Sequence, residues 1–434
     1  MIGQKMPKKT FILCLLITLC EVTPMPLHAE TPRWNVTTEQ VCEVTVHPRL
    51  GPPFWGYHQP IVVRSGERIY AGIMEPWGED HPEKQWHLFE GSEKGWRRVY
   101  TSPQEQRLNQ PPVLLVDREG RVHVFAWQNN ACNHFRFDPG AGDEPALHER
   151  LDLGPNGLWP YAGGAFNADG DLLVISSPYP AHLYGFQPRG GDWVLGTAVS
   201  HPPRPGTLTK HDTHCYPFVT LSGRQAHIFS TQDVADPEKV EQKVSFVYVF
   251  RTLDLYYSPD VSAAPFQKLN VVNVEKSKGW AHNDDLLLDR SGRIHMLYRF
   301  GEGDGSPPSP LMHAFGPPGG PLTHQALVPP DGGPLGESRL YEAPDGTIYV
   351  VGPQGPLLVV ARLKEDGALA EPPVSLGISP STKNYTATRI FLVPARAIAS
   401  GAPFLEGLYQ EQTEEGKTVI RYFRATPPGS TSGE

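Results

Sequence analysis

The sequence predicts an all-β protein, a seven-bladed β-propeller with four antiparallel strands in each blade. One short pattern recurs seven times at intervals of about fifty residues, a length that accommodates four short strands and their turns. Glycine and proline together number 89 of 434 residues, as expected for a chain with many tight turns. The apolar runs are short, and none has the sustained periodicity of a capped helix.

Each copy of the pattern has a polar or aromatic lead-in, an apolar run, a turn that contains glycine and a second apolar run. The copies begin at His58, Asn109, Tyr161, Tyr216, His282, Arg339 and Arg389. The turn glycines of the first six copies are Gly66, Gly120, Gly170, Gly223, Gly292 and Gly346. In every copy we expect the first apolar run to form the innermost strand of a blade and the second run to pair with it.

The last blade requires a strand from elsewhere in the chain. After the seventh copy only two strand-like segments remain, around residues 404–409 and 418–423. The stretch that contains Val41, Val44 and Val46 is therefore predicted to supply the fourth strand, which would close the ring and remove its free edges. The fourth copy carries about fifteen extra residues near 233–243, which we expect to form a long loop on one face.

The first residues have the features of an export signal. Lys5, Lys8 and Lys9 precede an apolar run, Phe11–Cys20, that is too short to span a bilayer. The sequence thus predicts a signal peptide at residues 1–29, a single propeller domain at 30–427 and a disordered tail at 428–434. We expect a secreted or periplasmic protein without a membrane span.

Charge and cysteine content limit the possible partners. The formal net charge is −9, and removal of residues 1–29 makes it −11, so the surface as a whole would repel nucleic acid. We expect no nucleic-acid partner and a monomeric chain. Three cysteines follow the signal, Cys42, Cys132 and Cys215, so at most one disulfide can form among them.

The lead-in residues indicate where a binding site would lie. In a propeller they gather at one mouth of the central channel, and the residues that leave each second strand return to the same face. Both sets are rich in aromatic, histidine, asparagine and arginine side chains, which suits a polysaccharide or oligosaccharide partner. The predicted substrate-binding residues are Trp77, Asn109, Trp127, Asn129, Tyr161, His214, Asn283, Asp284 and Arg339.

Each of these residues also has a purely structural interpretation. Aromatic side chains at strand ends can cap the seam between two blades, and His58 can be a hydrogen-bonded structural histidine. The aspartates after His282 can tie neighbouring loops through backbone amides, and Arg299 can form an ion pair at a seam. The histidines near His214 match no zinc spacing, and no phosphate-binding loop is present, so we expect neither a metal nor a cofactor.

Several segments resemble a known family. The stretch from His58 to Gly66, the stretch from Asn109 to Trp127 and the Cys215-Tyr216-Pro217-Phe218-Val219 element are similar to those of BNR-repeat propellers that include ulvan lyases and related uronate-cleaving polysaccharide lyases. The resemblance covers about residues 55–300. It implies a seven-bladed propeller that cleaves a uronate-containing glycan by β-elimination.

The resemblance also implies catalytic roles. A cation would neutralise the uronate carboxylate, one His or Tyr would remove the C5 proton, and another would protonate the leaving oxygen. By position His58 and Tyr216 match the family residues, and the candidate catalytic set is completed by His282 and Arg299. The chain departs from the family at Gln232, where these lyases place an arginine, and at Gln128-Asn129, where a histidine is expected.

Two other functions remain open from the sequence. The first is a non-catalytic propeller that binds a glycan or a protein, because one fold can carry many functions. The second is a glycoside hydrolase of the sialidase-like superfamily, which would need two carboxylates across a cleft. Asp284 or Asp285 with Glu75 or Glu79 are the candidates for that pair.

Overall fold

In a computed structural model, the chain folds into seven four-stranded antiparallel sheets. The structure describes residues 34–44, 56–76, 84–103, 110–128, 131–140, 143–153, 161–178, 181–201, 214–243, 247–303, 309–330, 333–380, 389–413, 415 and 417–427. The predicted signal peptide, the predicted tail and Val46 lie outside these residues.

The first three blades follow the chain in order, from the innermost strand outward. Blade 1 consists of β2 (Val62–Ser65), β3 (Arg68–Pro76), β4 (Lys84–Ser92) and β5 (Gly95–Thr101). Blade 2 consists of β6 (Val113–Val116), β7 (Val122–Gln128), β8 (Ala131–Phe137) and β9 (Leu147–Leu151). Blade 3 consists of β10 (Tyr161–Phe166), β11 (Leu172–Ser177), β12 (Ala181–Gln187) and β13 (Val194–Ser200).

Blades 4 to 6 repeat the arrangement. Blade 4 consists of β14 (His214–Ser222), β15 (Gln225–Gln232), β18 (Thr252–Ser258) and β19 (Gln267–Asn273). Blade 5 consists of β20 (Trp280–Leu288), β21 (Ile294–Gly301), β22 (Leu311–Gly316) and β23 (Thr323–Leu327). Blade 6 consists of β24 (Arg339–Glu342), β25 (Ile348–Gln354), β26 (Leu357–Arg362) and β27 (Val374–Ser375).

The N-terminal strand closes the ring, as predicted. Blade 7 consists of β28 (Ile390–Leu392), β29 (Leu405–Gln412), β30 (Thr418–Thr426) and β1 (Asn35–Val44). The last two strands pair antiparallel, from Asn35 opposite Thr426 to Val44 opposite Thr418. The seven-bladed β-propeller predicted from the repeat is confirmed.

Burial decreases from the axis to the rim of each blade. The described residues of β2, β6, β24 and β28 are all buried, whereas exposed and half-buried residues dominate in β5, β13 and β19. The inner strands are buried on both faces, whether their residues are apolar or charged, because each blade packs against two neighbours. The six turn glycines all have a positive φ, between 52° and 91°, which is the reason that the repeat retains glycine there.

The extra residues of the fourth copy form a small structured insertion rather than a plain loop. Strands β16 (Val234–Ala235) and β17 (Tyr248–Val249) pair with each other, and helix α1 (Pro237–Glu241) lies between them. The Asp236 carboxylate caps the helix by accepting hydrogen bonds from the backbone of Glu238 and Lys239.

The turn between β28 and β29 crosses the propeller axis. Its 3₁₀ segment, Ala395–Ala397, contacts the inner strands of blades 2, 3, 4 and 5. The Ala399 amide donates to the Val116 carbonyl at 3.0 Å, and Ala397 is fully buried. This axial turn fills one end of the channel, so the opposite end, where the lead-in residues lie, is the face on which a site can form.

A buried ion pair joins the first and last blades. The Arg64 guanidinium donates from Nε and Nη2 to the two carboxylate oxygens of Glu406, each at 2.6 Å, and the Tyr422 hydroxyl donates to the same carboxylate at 2.5 Å. The side chains of Arg64 and Glu406 are 8% and 0% exposed. Bidentate geometry and the third hydrogen bond allow this pair to offset the cost of desolvating its charges.

Two chains of hydrogen-bonded side chains also follow from the repeat. In blade 2 His123 Nε2 lies 3.2 Å from Asp117 Oδ2, His123 Nδ1 lies 2.9 Å from His134 Nε2, and His134 Nδ1 lies 2.7 Å from Glu149 Oε1. The four side chains thus form one continuous chain of contacts between two carboxylates.

Blade 5 has the same arrangement at equivalent positions. Asp289, His295 and His313 are linked by distances of 3.1 and 3.0 Å, and His313 Nδ1 donates to the Gly367 carbonyl at 3.0 Å. The turns Asp117-Arg-Glu-Gly-Arg and Asp289-Arg-Ser-Gly-Arg thus do more than reverse the chain. Their aspartates also anchor histidines inside the blade.

Loss of the Glu406 charge should destabilise the ring. We expect Glu406→Gln to lower the free energy of unfolding by about 3 kcal/mol, because it leaves a buried guanidinium without its counter-charge. The exposed pair Glu43–Lys417, between β1 and β30, is the matched control, and Glu43→Gln should cost at most about 0.5 kcal/mol. Denaturant unfolding of both variants measures the difference, and equal effects would contradict this role of the buried pair.

Stability should fall with acidification. Burial lowers the pKa of His134 to about 4, and the charge of His123 acts in the same direction. A folded-state pKa below the unfolded value means that the unfolded chain takes up a proton first, so stability is lost as the pH falls from about 6.5 to about 4. In denaturant unfolding between pH 7 and pH 5, we expect His134→Gln to reduce the slope of the unfolding free energy against pH, by the equivalent of up to about one bound proton. Phe135→Leu, which removes no titratable group, should keep the wild-type slope, and an unchanged slope in His134→Gln would refute the assignment.

Candidate functional site

A buried turn stands at the centre of the channel mouth. Residues 56–59 form it, and the Gln59 amide donates to the Gly56 carbonyl at 3.0 Å. Tyr57, His58 and Gln59 are each at most 2% exposed. Their side chains contact different blades: Tyr57 meets blades 4, 5 and 7, His58 meets blades 3 and 4, and Gln59 lies beside Gln110 of blade 2.

Tyr57 links this central turn to blade 5. Its hydroxyl donates to Asn283 Oδ1 at 3.0 Å, and its ring stacks on His282 with centroids 4.7 Å apart. The guanidinium carbons of Arg389 and Arg339 lie 4.8 and 5.7 Å from the Tyr57 ring centroid, within cation–π distance. One aromatic ring therefore holds a histidine, an amide and two cations in place.

Tyr216 has a strained backbone. Its φ is +54°, a conformation that costs an aromatic residue about 1–3 kcal/mol, and the pairing of β14 with β15 is irregular between Cys215 and Phe218. The Asn283 amide donates to the Tyr216 carbonyl at 2.9 Å and holds this conformation. Bulges and positive φ values of this kind are concentrated at functional sites, where they redirect a side chain.

The redirected Tyr216 ring joins two other candidates. Its centroid lies 4.4 Å from Tyr161 and 5.4 Å from His58, and the Tyr161 hydroxyl donates to the Tyr216 hydroxyl at 3.4 Å. Burial raises the pKa of both phenols, so both are neutral at physiological pH. Burial, followed by the charge of Arg396, lowers the pKa of His58 well below its usual range, although a hydrogen bond with the backbone of Ala162 opposes this.

Asp284 is the bulged residue of β20 and organises the charged side of the mouth. It lies 2.9 Å from His282 Nδ1 and 3.2 Å from Arg299, and it accepts from the Ser338 amide at 3.2 Å. Burial alone would raise the pKa of Asp284, but Arg299 and the hydrogen bond from His282 outweigh it and lower the pKa. Asp284 is therefore a carboxylate with its acceptor positions occupied.

Arginines from blades 6 and 7 complete this side. Arg339 donates to the carbonyls of Asp284 and Tyr57 at 2.8 and 3.3 Å, and to Glu337 at 2.7 Å. Arg389 donates to the other oxygen of Glu337 at 3.2 Å. Glu337 is thus shared by two guanidinium groups, whose charges lower its pKa against the effect of burial.

The axial turn adds a further cation from below. Arg396 donates to Asp285 Oδ1 at 3.0 Å and to the His58 carbonyl at 3.5 Å, and it lies 5.2 Å from the Phe218 ring centroid. The carboxylates and guanidinium groups gathered at this mouth are Asp284, Asp285, Glu337, Arg299, Arg339, Arg389 and Arg396. Of these seven groups three are negative and four positive, which leaves one excess positive charge that would suit one anionic ligand group. Asp233, whose charge acts on Tyr161 and Tyr216, is not among the seven, and burial raises its pKa to about 7.

Most of the residues singled out in the sequence meet at this mouth. They are His58, Tyr161, Tyr216, His282, Asn283, Asp284, Arg299 and Arg339. Trp77, Asn109, Asn129 and Glu79 lie outside the described residues. That these residues at the mouth act on a substrate remains a prediction.

Two other candidates lie elsewhere. His214 is buried between blades 3 and 4, where its Nε2 lies 2.6 Å from Asp254 Oδ2 and its ring stacks on His201. Trp127, at the end of β7, is 4% exposed, and strand alternation places it on the same face of blade 2 as Phe125, which packs against Trp193 of blade 3. Gln232, at the position where the resemblance suggests an arginine, is buried, and its amide donates to Glu275 at 3.3 Å.

Sequence reasoning missed two members of the site. Arg389 was placed at the mouth as the lead-in of the seventh copy, although not among the candidate binding residues, whereas Glu337 and Arg396 precede or follow inner strands without belonging to the pattern. A charged side chain within two residues of an inner strand was the available signal for Glu337. Arg396 had no signal, because only the path of the axial turn brings it under the site.

The structural role considered for the paired aspartates agrees with the geometry. Asp284 and Asp285 accept from the backbone amides of Ser338 and Leu340, at 3.2 and 2.8 Å, and so tie blade 5 to blade 6. Glu75 lies instead beside His87 in blade 1, with 3.5 Å between its carboxylate and the ring nitrogen.

No group of three or more His, Cys, Asp or Glu side chains in the described part of the chain is arranged to hold a metal ion. Cys42, Cys132 and Cys215 are all free thiols. Across the described ranges, no helix is long and apolar enough to cross a membrane.

The fold is shared with solved polysaccharide lyases. A structure described as a new family of polysaccharide lyase, PL25 ulvan lyase, is similar with a TM-score of 0.58 and 12% identity, over 89% of this chain and 95% of that one. The polysaccharide lyase Uly1 is similar with a TM-score of 0.54 and 11% identity, over 89% and 92%. No protein-family model and no curated protein matches the sequence. At this identity the likeness establishes the propeller fold that the chain shares with these enzymes.

His58 should remain uncharged through the physiological range. Because its folded-state pKa lies well below 6.5, we expect its imidazole to keep neutral nitrogen chemical shifts from pH 8 down to pH 5.5. Long-range ¹⁵N–¹H NMR of histidine-labelled protein measures this, with His58→Gln to assign the signal and a histidine peptide as reference. A midpoint near that of the peptide would show that His58 is solvated and not held as described.

Proposed function

We propose that this chain is an exported polysaccharide lyase, secreted or periplasmic, that cleaves a uronate-containing glycan by β-elimination. The observation that supports this most is the meeting of a neutral histidine, two neutral phenols and an excess of positive charge at one mouth. A lyase needs these three kinds of group around one sugar. The resemblance of His58 and the Tyr216-Pro217 element to lyase motifs points in the same direction.

The cationic group would bind the substrate first. The carboxylate of the uronate would lie against Arg389, with Arg339 and Arg299 nearby, where the excess positive charge is found. Neutralising the carboxylate acidifies the C5 proton because the carbanion formed by its removal is stabilised as an enolate. In a buried site this electrostatic effect is larger than in water.

His58 and Tyr216 would then move the protons. His58 is neutral, so its free ring nitrogen could take the proton from C5, and the electron pair of that C–H bond would form the C4–C5 double bond. The C4–O bond would break, and Tyr216, a neutral phenol, would give its proton to the leaving oxygen. The products are an unsaturated uronate and a new chain end, and proton transfer between His58 and Tyr216 restores the enzyme.

Other groups would position these residues. Asn283 holds the carbonyl of Tyr216, and Tyr57 holds Asn283 and stacks on His282. Tyr161 donates to the Tyr216 hydroxyl and so orients its proton. His282, hydrogen-bonded to Asp284, would be a second proton-transfer group next to the cations.

The hydrolase alternative has less support. Both Asp284 and Asp285 accept hydrogen bonds from arginines and from backbone amides, so neither carboxylate is available as a general acid or a nucleophile. A non-catalytic glycan-binding propeller is favoured by one observation, the complete burial of His58. Under that alternative the same cations and aromatic rings would bind a uronate without cleaving it.

The proposal predicts a product that absorbs ultraviolet light. On a panel of uronate polysaccharides we expect absorbance near 235 nm to rise as unsaturated ends form. Tyr216→Phe should lower kcat by about 10²- to 10⁴-fold, because the leaving oxygen loses its proton donor. Tyr341→Phe alters a buried tyrosine on the inner strand of blade 6 and is the matched control, with near wild-type rates expected.

Two results would count against catalysis. If no polysaccharide of the panel gives absorbance although one binds, the protein is a binding propeller. If Tyr216→Phe is as active as Tyr341→Phe, the Tyr216 hydroxyl does not donate the proton and the assignment of roles is wrong.

A further inference from the structure

The two sides of the channel mouth differ in chemistry. On the side of blades 5 to 7, the charged groups form the ion pairs described above. On the side of blades 1 and 2, three buried, uncharged amide side chains have atoms without a hydrogen-bond partner within the described residues. Those side chains are Gln59, Gln110 and Gln128.

The two amides nearest the centre converge on one point. The side-chain oxygens of Gln59 and Gln110 both occupy the space that a Cβ on Gly56 would need. These side chains are 2% and 3% exposed, and neither amide nitrogen nor amide oxygen of either has a partner among the described residues. The glycine at position 56 thus lets the Gln110 amide of blade 2 meet the Gln59 amide of the central turn itself.

The end of β7 extends the same group. Val113 pairs with Phe125, so continuation of that register places Gln110 opposite Gln128. The Gln128 amide nitrogen is buried and has no partner in the described ranges. Five donor or acceptor atoms are therefore unpaired in one seam.

Such a cluster is unusual for a purely structural seam. More than nine in ten buried polar groups in proteins have a hydrogen-bond partner, because desolvation without one is costly. The seam would be stabilised if an entering molecule supplied both donors and acceptors. Amides both donate and accept, as sugar hydroxyls do.

The seam also excludes one class of ligand group. All five atoms belong to uncharged side chains, and a sulfate or carboxylate placed there would lose its hydration without a counter-charge. The excess positive charge lies across the mouth, beside Tyr57. The two sides would therefore accept sugars of different charge.

We propose that the seam formed by Gln59, Gln110 and Gln128 is a subsite for an uncharged, unsulfated sugar next to the uronate. This rests on the proposed function, because the uronate is placed by the arginines of that site. The substrate is then a glycan in which a uronate adjoins a neutral sugar, rather than a polyuronate or a chain sulfated on the neighbouring residue.

Binding and stability together test the subsite. Three hexasaccharides serve as probes: unsulfated chondroitin, in which uronate alternates with a neutral amino sugar, its sulfated counterpart, and oligogalacturonate. Calorimetric titration is carried out in a Tyr216→Phe background, so that no probe is consumed. We expect unsulfated chondroitin to bind most tightly, and Gln110→Leu to weaken it about five- to tenfold, as for the loss of one neutral hydrogen bond.

Gln110→Leu should not destabilise the free protein. It removes unpaired polar atoms at nearly constant volume, so we expect an unchanged or higher Tm without ligand. Gln128→Leu is a second variant with the same expectation, in case the first fails to fold. Gln267→Leu, an exposed residue of β19, is the control that should alter neither affinity nor Tm.

Several outcomes would overturn the subsite. A lower Tm in both seam variants with unchanged affinity would mean that permanently bound water satisfies the amides. Equal or tighter binding of the sulfated or the polyuronate probe, or no binding of any probe, would also refute it. The absorbance assay is independent: a protein that binds through the seam but gives no product retains the subsite and loses the proposed catalysis.

Discussion

The pairing of β1 with β30 is the constraint on which the rest of the structure depends. Each blade packs only against its two neighbours, so the inner strands surround one axis only if the seventh blade also meets the first. The N-terminal strand completes that blade, and the buried Arg64–Glu406 pair joins it to blade 1. Because the ring is closed, residues far apart in the chain face one another across a few ångströms, and Tyr57 can reach Asn283.

The central turn converts this closure into a site. Residues 56–59 carry three successive side chains that contact different blades. One short segment therefore joins the charged part, the aromatic part and the amide part of the mouth. The axial turn with Arg396 supports it from the other end of the channel. The strained φ of Tyr216 is maintained by Asn283, which is itself held by Tyr57. A substitution in this turn would therefore affect every part of the site.

Particular residues show how far the sequence could lead. Gly66 and Gly120 were recognisable as turn glycines from the repeat, and their positive φ explains why. His58 and Tyr216 could be placed at one mouth because both lead into inner strands. Glu337 and Arg396 could not, since their positions depend on how a loop crosses from one blade to another, and loop paths leave no periodic pattern. The insertion between β16 and β17 was foreseen in length, but its helix was not, because five residues are too few to give a helical period.

The sequence by itself determined the all-β architecture, the number of blades, the closing strand and the mouth at which polar residues gather. It could do so because strand alternation and turn chemistry are local and repeat at a fixed interval. Only the tertiary structure decided which charges pair, which polar atoms remain unpaired and which backbone is strained. Many of those properties arise from contacts between residues 55 to 342 positions apart, such as Arg339 with Asp284 and Arg64 with Glu406, and no local pattern encodes them. The site exists only when the ring is closed, whereas the repeat can be recognised in the sequence alone.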